Sequence, residues 1–387
     1  MTALSVEQPR SHPKASPSDR RRVLLAPITV TPSKPLTPSH LKGLLWTDVM
    51  YRATRPLADV TYRYSHTTYH PTEQTLGFWE FLDRSHGETD YADLTEDDVG
   101  ELYVAFRAAP RAPAGALRPY AEAVEHGWVH PAGDRVLRLW SEHYSALGLH
   151  DPGLLRHQPP GLSLDAALDC LSALGMCLDQ RAVGGPVYLD LTRFGLPLRQ
   201  LVASDGRPNY LACALRELLP MATGFDEVVL LYDSELDPDY QQLARVITAL
   251  GPGVRRVSLG RVPVDGQIRS ARQGGWRGVH AGALLRAVRG EHDPAAVRLG
   301  MRLYFIAVLG PGRQQSFRAD LLRQSVKRAG QLLASARHDA PTPLDERLAR
   351  HRKDHLYVDP YRLVSGLLGK RRAAPASDLL TAVFPCP

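Results

Sequence analysis

The chain has 387 residues, 44% of them hydrophobic and 23% charged, with a formal net charge of +6. This composition can bury a sizeable core and excludes a wholly disordered chain, and the length suits roughly two domains. The longest apolar run, Leu303 to Leu309, is far short of the ~20 residues that span a bilayer, so no membrane-spanning helix is expected. Residues 1–35 hold six prolines and little periodicity, which predicts a mobile tail. Arg20-Arg21-Arg22 before Val23 to Ala26 hints at a secretion signal. Pro27 interrupts that segment and no small-residue cleavage site follows, so a cytoplasmic protein is expected.

Region 36–150 reads as mostly helical. Thr37 and Pro38 open a helix with an apolar face of Leu41, Leu44, Leu45 and Val49. Thr95 and Asp98 stand as a capping box before Val99, Leu102, Tyr103 and Phe106, and residues 107–117 read as a loop. Val136 to Leu147 form a further helix closed by Gly148, followed by a proline-rich linker over 149–162. Beyond it, strands over 187–191, 227–232 and 254–262 alternate with helices over 208–219 and 238–250. That alternation predicts an α/β fold: a parallel, doubly wound, Rossmann-like sheet within 151–290, followed by a helical region over 291–387.

Four cysteines without a CxxC pair make neither a disulfide framework nor a structural zinc site. Of the 47 cations 41 are Arg, whose planar fork suits phosphate oxygens, although a GC-rich coding bias produces the same excess. The clusters Arg347, Arg350, Arg352, Lys353 and Lys370-Arg371-Arg372 are candidate RNA-backbone contacts or solvated surface.

Ligands of open α/β sheets bind beyond the carboxyl ends of the strands. The residues following the three expected strands are Asp190, Thr192 and Arg193; Asp233 and Glu235; and Asp265 with the loop 266–278. That loop holds Ser270, Arg272, Trp276 and Arg277 among several glycines, a set able to bring backbone, charge and an indole to a nucleotide. GxGxxG, GxxxxGK[ST] and GxSxG are all missing, which argues against ordinary NAD binding, P-loop chemistry and serine hydrolysis. In 61–70, Tyr64, His66 and His70 stand in a dense polar-aromatic stretch. The Thr and Tyr content and Pro71 favour extended chain over a helix, so no metal site is expected, and His66 is a candidate proton carrier.

The stretches YRYSHTTYHPTEQTLGFWEFL (62–82), VYLDLTRFGLPLRQ (187–200), RPNYLACALRELLP (207–220), VVLLYDSELDPDYQ (228–241) and RVPVDGQIRSARQGGWRG (261–278) together carry a resemblance. The chain resembles the aminoacyl-tRNA-dependent aminoacyltransferases of azoxy and hydrazine natural-product pathways, whose namesake is the seryl-tRNA-dependent transferase of the valanimycin pathway. The resemblance implies transfer of an aminoacyl group from charged tRNA to a small hydroxylamine or amine acceptor, without a further cofactor. On that reading His66, Asp190 and Asp233 are the catalytic candidates. Tyr64, His70, Thr192, Arg193, Asn209, Glu235, Asp265, Ser270, Arg272, Trp276 and Arg277 would line the substrate and tRNA sites. An ATP-dependent ligase or nucleotidyltransferase on the same kind of sheet is the alternative, and a non-catalytic RNA-binding protein is the next.

Overall fold

The computed structural model describes residues 20–384 apart from 269, 291, 313–314, 338–341 and 370–373. Residues 1–19 of the expected tail, Arg269, the Lys370-Arg371-Arg372 cluster and Cys386 lie outside the described residues.

Four parallel strands form the main sheet: β1 (Arg22–Pro27), β2 (Asp59–Tyr62), β6 (Glu227–Asp233) and β7 (Gly253–Leu259), in the order β2-β1-β6-β7. Helix α1 (Pro38–Thr54) crosses from β1 to β2, and α8 (Asp237–Ala249) from β6 to β7. Val23 to Ala26 of β1 and Val228 to Tyr232 of β6 are buried without interruption, because a central parallel strand is covered on both faces. Their side chains alternate between two cores. Val23, Leu25, Val229 and Leu231 face the α1 side, whereas Leu24, Ala26, Val228 and Leu230 face the side packed by α8.

Between β2 and β6 lie α2 (Glu73–His86), α3 (Glu96–Ala108), α4 (Ala114–Glu125), α5 (Pro131–Leu147), α6 (Leu164–Ala173) and α7 (Tyr210–Ala222). The same insertion holds an antiparallel sheet of β3 (Cys177–Asp179), β4 (Val187–Leu189) and β5 (Arg199–Val202). The remaining helices are α9 (Ala281–Arg289), α10 (Pro294–Arg302) running into a π-helical segment Leu303–Val308, α11 (Ala319–Ala334), α12 (Leu344–Ala349), α13 (Pro360–Leu368) and α14 (Ser377–Val383).

The α/β class and the parallel sheet match expectation, but their placement differs. Residues 22–27, assigned to a tail, form an interior strand, and β2 also comes from the region expected to be helical. The strand expected over 187–191 is β4 of the antiparallel sheet, so Asp190 does not stand at the end of a parallel strand. Helix α4 begins inside the stretch read as a loop. After β2, residues 66–71 form turns rather than extended chain.

A basic crevice at the sheet switch point

The chain crosses from β1 outward to β2 on one side, and later from β6 outward to β7 on the other. Connections therefore diverge between β1 and β6, and the region beyond their carboxyl ends is where open α/β sheets place a ligand crevice. The segment after β1 supplies Thr31, Ser33 and Lys34 and leads into the amino end of α1. There the Thr37 N–H donates to His40 Nδ1 at 3.1 Å and the His40 N–H donates to Thr37 Oγ1 at 3.4 Å. Asp233 ends β6 and Glu235 follows it, both ion-paired with Arg261 beyond β7, the Glu235 contact at 2.9 Å. The Val262 N–H donates to Ser39 Oγ at 3.0 Å, which ties the end of β7 to the first turn of α1.

Positive charge dominates this floor. Lys34 donates to Thr31 Oγ1 at 2.9 Å and lies 5.3 Å from the Tyr103 ring centroid. Burial, then the charges of Arg272, Arg261 and Arg107, lower its ammonium pKa to about 8. Burial, then Lys34 and Arg261, hold His40 down at about 3 against the opposing Pro35 carbonyl, so its imidazole is neutral at pH 7. Because Nδ1 accepts from Thr37, the ring proton sits on Nε2, making His40 a neutral donor. Burial raises the Tyr103 phenol against the opposing charges of Arg107 and Arg272, and burial raises the neighbouring Tyr210 phenol to about 12. Lysine, arginines, a neutral donor and a helix amino terminus converge on one place, the arrangement that binds a phosphate or a developing oxyanion.

Behind this floor lies a buried staple. Glu96 accepts from the Leu36 N–H at 3.3 Å, lies 2.7 Å from His143 Nε2 and lies 3.0 Å from His280 Nδ1. Burial alone would raise the Glu96 carboxyl. The hydrogen bonds and charges of His143 and His280 outweigh it and hold the group at about 2.

Three of the sequence-predicted site residues, Asp233, Glu235 and Arg272, meet in the crevice. Ser270 Oγ caps the turn by accepting from the Arg272 N–H at 3.3 Å. Asp265 occupies the tight turn closed by Val264 and Gln267, with φ of 51°. Trp276 corrects an expectation: it is 1% exposed and packs against α3 so closely that a Cβ on Gly100 would fall 2.4 Å from its ring, leaving no face for a base. Arg277 is instead on the surface, bonded through two nitrogens to Glu101 at 2.6 Å.

Asp190, Thr192 and Arg193 lie in the connection between β4 and β5, with Thr192 and Arg193 in a 3-10 turn. Asp190 accepts from the Thr192 N–H and hydroxyl at 3.0 and 2.6 Å, and Arg193 donates to the Leu174 carbonyl at 2.9 Å. Asn209 caps α7 by accepting from the Ala212 N–H at 2.8 Å. The buried Tyr64 hydroxyl accepts from the Val30 N–H at 3.2 Å. His66 and His70 are buried with ring centroids 5.8 Å apart, and His70 packs edge-on to Trp79 at 4.9 Å. Burial lowers His66 to about 4 and His70 well below the ordinary range. No cluster suited to a metal occurs among the described residues.

Sequence reasoning missed Lys34, His40, Tyr103 and Tyr210. Thr37-Pro38 signals the helix start beside them, but the strand in front of it reads as tail.

The chain shares its fold with arginyl-tRNA synthetases. It superposes on Thermus thermophilus arginyl-tRNA synthetase with a TM-score of 0.60 at 17% identity, covering 96% of this chain and 81% of that one. Against Plasmodium falciparum arginyl-tRNA synthetase the TM-score is 0.51 at 13% identity, covering 82% of this chain and 58% of that one. No protein-family model and no curated protein matches the sequence.

Proposed function

We propose that the protein is an aminoacyltransferase that moves an aminoacyl group from aminoacyl-tRNA to a small amine or hydroxylamine acceptor. The observation that carries the reading is the crevice at the β1–β6 switch point, where Lys34, Arg272 and the neutral His40 gather at the amino end of α1. The fold shared with arginyl-tRNA synthetases supports it.

An aminoacyl ester is already activated, so the protein has to hold two substrates, stabilise an oxyanion and move one proton. The acceptor nitrogen attacks the ester carbonyl. A C–N bond forms, the bond to the ribose oxygen breaks, and the proton lost by nitrogen ends on that oxygen. In this scheme the His40 Nε2–H and the Ser39 N–H of α1 face the oxyanion. Lys34, with a pKa near the working pH, protonates the departing ribose oxygen. Asp233 and Glu235 receive the α-amino group, and Arg272 the terminal phosphate. Having given up its proton, the neutral Lys34 amine takes the one shed by the acceptor nitrogen, which restores the ammonium; the buried His66 stands apart from this exchange. Serine is the first amino acid to test.

The shared synthetase fold specifically favours an ATP-dependent ligase as the second reading. One assay separates the two. Transfer RNA charged with labelled amino acids, one at a time, is incubated with the protein and an alkylhydroxylamine in the absence of ATP. Label appearing in a small-molecule product supports the transferase. Label that stays on tRNA with every amino acid, together with ATP–pyrophosphate exchange, replaces it with the ligase.

A further inference from the structure

Away from the crevice, a groove of about 940 Å³ runs between α5 and the α9–α10 pair. Arg135 and Arg138 enter it from α5, Arg289 from the last turn of α9, His292 from the connector and Arg298 from α10. Arg135, Arg138 and Glu142 stand at i, i+3 and i+7, which aligns them along one face of α5.

The charge of this groove is poorly neutralised. Arg135 donates its Nε to the Leu94 carbonyl at 2.9 Å, and Arg298 donates to the Ala146 and Ser145 carbonyls at 3.2 and 3.3 Å. Those partners orient the guanidinium groups without cancelling their charge. Arg138 donates to Asp134 at 2.8 Å, whereas Arg289 makes no ion pair among the described residues. Glu142 is the one carboxylate among the described lining residues. Leu155, 49% exposed, is the only exposed large apolar side chain among the described lining residues, so the groove lacks the aromatic and aliphatic anchors on which protein partners dock. Guanidinium forks held on rigid helices match a run of phosphodiesters instead.

We propose that this groove docks the phosphate backbone of the tRNA donor, an inference that rests on the transferase reading above. Its test uses the full chain and fluorescently labelled tRNA, with anisotropy titrations at several salt concentrations. Arg138→Glu combined with Arg289→Glu changes two solvent-facing side chains, and a thermal melt checks that the fold survives. The affinity is expected to fall at least about tenfold, and the slope of log K against log salt to become shallower by about two. The corresponding double Lys variant should keep the wild-type slope. Unchanged affinity and slope in the double Glu variant would overturn the proposal. So would retained tRNA affinity with lost binding to polyglutamate, which points to an acidic protein partner.

Kinetics distinguish this failure from failure of the transferase reading. The double Glu variant should raise KM for aminoacyl-tRNA while leaving turnover of an aminoacylated 3′-adenosine fragment unchanged. Equal losses on both donors would sink the docking site. A wild-type protein that binds tRNA through the groove yet transfers nothing would leave the docking site standing and remove the transferase.

Discussion

On the proposed reading, Lys34 is the residue on which the transfer depends. Its ammonium is lowered to about 8 by burial and by three neighbouring arginines, so it is charged below that pH and neutral above it. Anion binding and transfer should therefore weaken as the pH rises through about 8, read as log kcat/KM against pH. Lys34→Met should lower kcat/KM by roughly 30-fold or more, the worth of one charge-assisted hydrogen bond of about 2 kcal/mol, and remove that inflection. A profile unchanged in Lys34→Met would take Lys34 out of the reaction. Glu96 carries a stability prediction of opposite pH sense. Its carboxyl is at about 2 in the folded protein, below its ordinary 4.5. Its contribution is complete above pH ~4.5 and lost as the pH falls toward ~2, about 3 kcal/mol in all. Acid unfolding of Glu96→Gln should begin from a lower stability and show a shallower pH dependence between those limits.

Among the elements, α1, α5 and α10 are joined by one buried ion pair. Arg302 is fully buried and donates to Asp48 at 2.5 Å, to the Leu147 carbonyl at 2.9 Å and to the Gly148 carbonyl at 3.1 Å. Asp48 also accepts from Arg52 at 2.9 Å and from the His150 N–H at 2.8 Å. The arginine therefore supplies donors to the carbonyls at the end of α5, which have no partner within their own helix. Arg302→Met would leave Asp48 charged and underpaired in the interior. The expected cost is about 3–5 kcal/mol in denaturant unfolding, and a loss below ~1 kcal/mol would mean that the pair is replaceable by apolar packing. The Thr37 cap, the Thr95 capping box and the Gly148 stop are legible as local patterns, because a cap is decided within four residues, whereas the His40 side of the Thr37 box appears only in the structure. Helix α4 is hidden by Pro110, Pro113 and Gly115, which read as breakers although Pro113 stands at its cap and Gly115 in its first turn.

For the chain as a unit, the decisive element is β1, an interior strand between β2 and β6. Leu24 is fully buried at its centre. Leu24→Ala should cost about 2–5 kcal/mol of unfolding free energy, whereas a residue in a true tail would cost less than ~0.5 kcal/mol. Guanidinium melts of the two proteins measure the difference directly. The strand also decides where the site lies, since the switch point exists only because β1 pairs with β6 on one side and β2 on the other. Without β1, the carboxyl ends of the three later strands look equivalent, and Asp190 competes with Asp233 as a site residue.

What the amino-acid order settled was local. The helix caps, the αβ alternation after residue 220, the strand-end carboxylates Asp233 and Glu235 and the basic loop around Arg272 follow from spacing over a few residues. The fold decided which strands are neighbours, because a short run such as Val23 to Ala26 has no period of its own and becomes a strand only by pairing with residues 227–231, some 200 positions away. It also decided which side chains of a loop turn toward the switch point. Arg272 turns toward Lys34 and Tyr103, while Trp276, four residues on, is consumed in packing against Gly100. Burial depends on what the rest of the chain brings alongside, which no window of neighbouring residues contains.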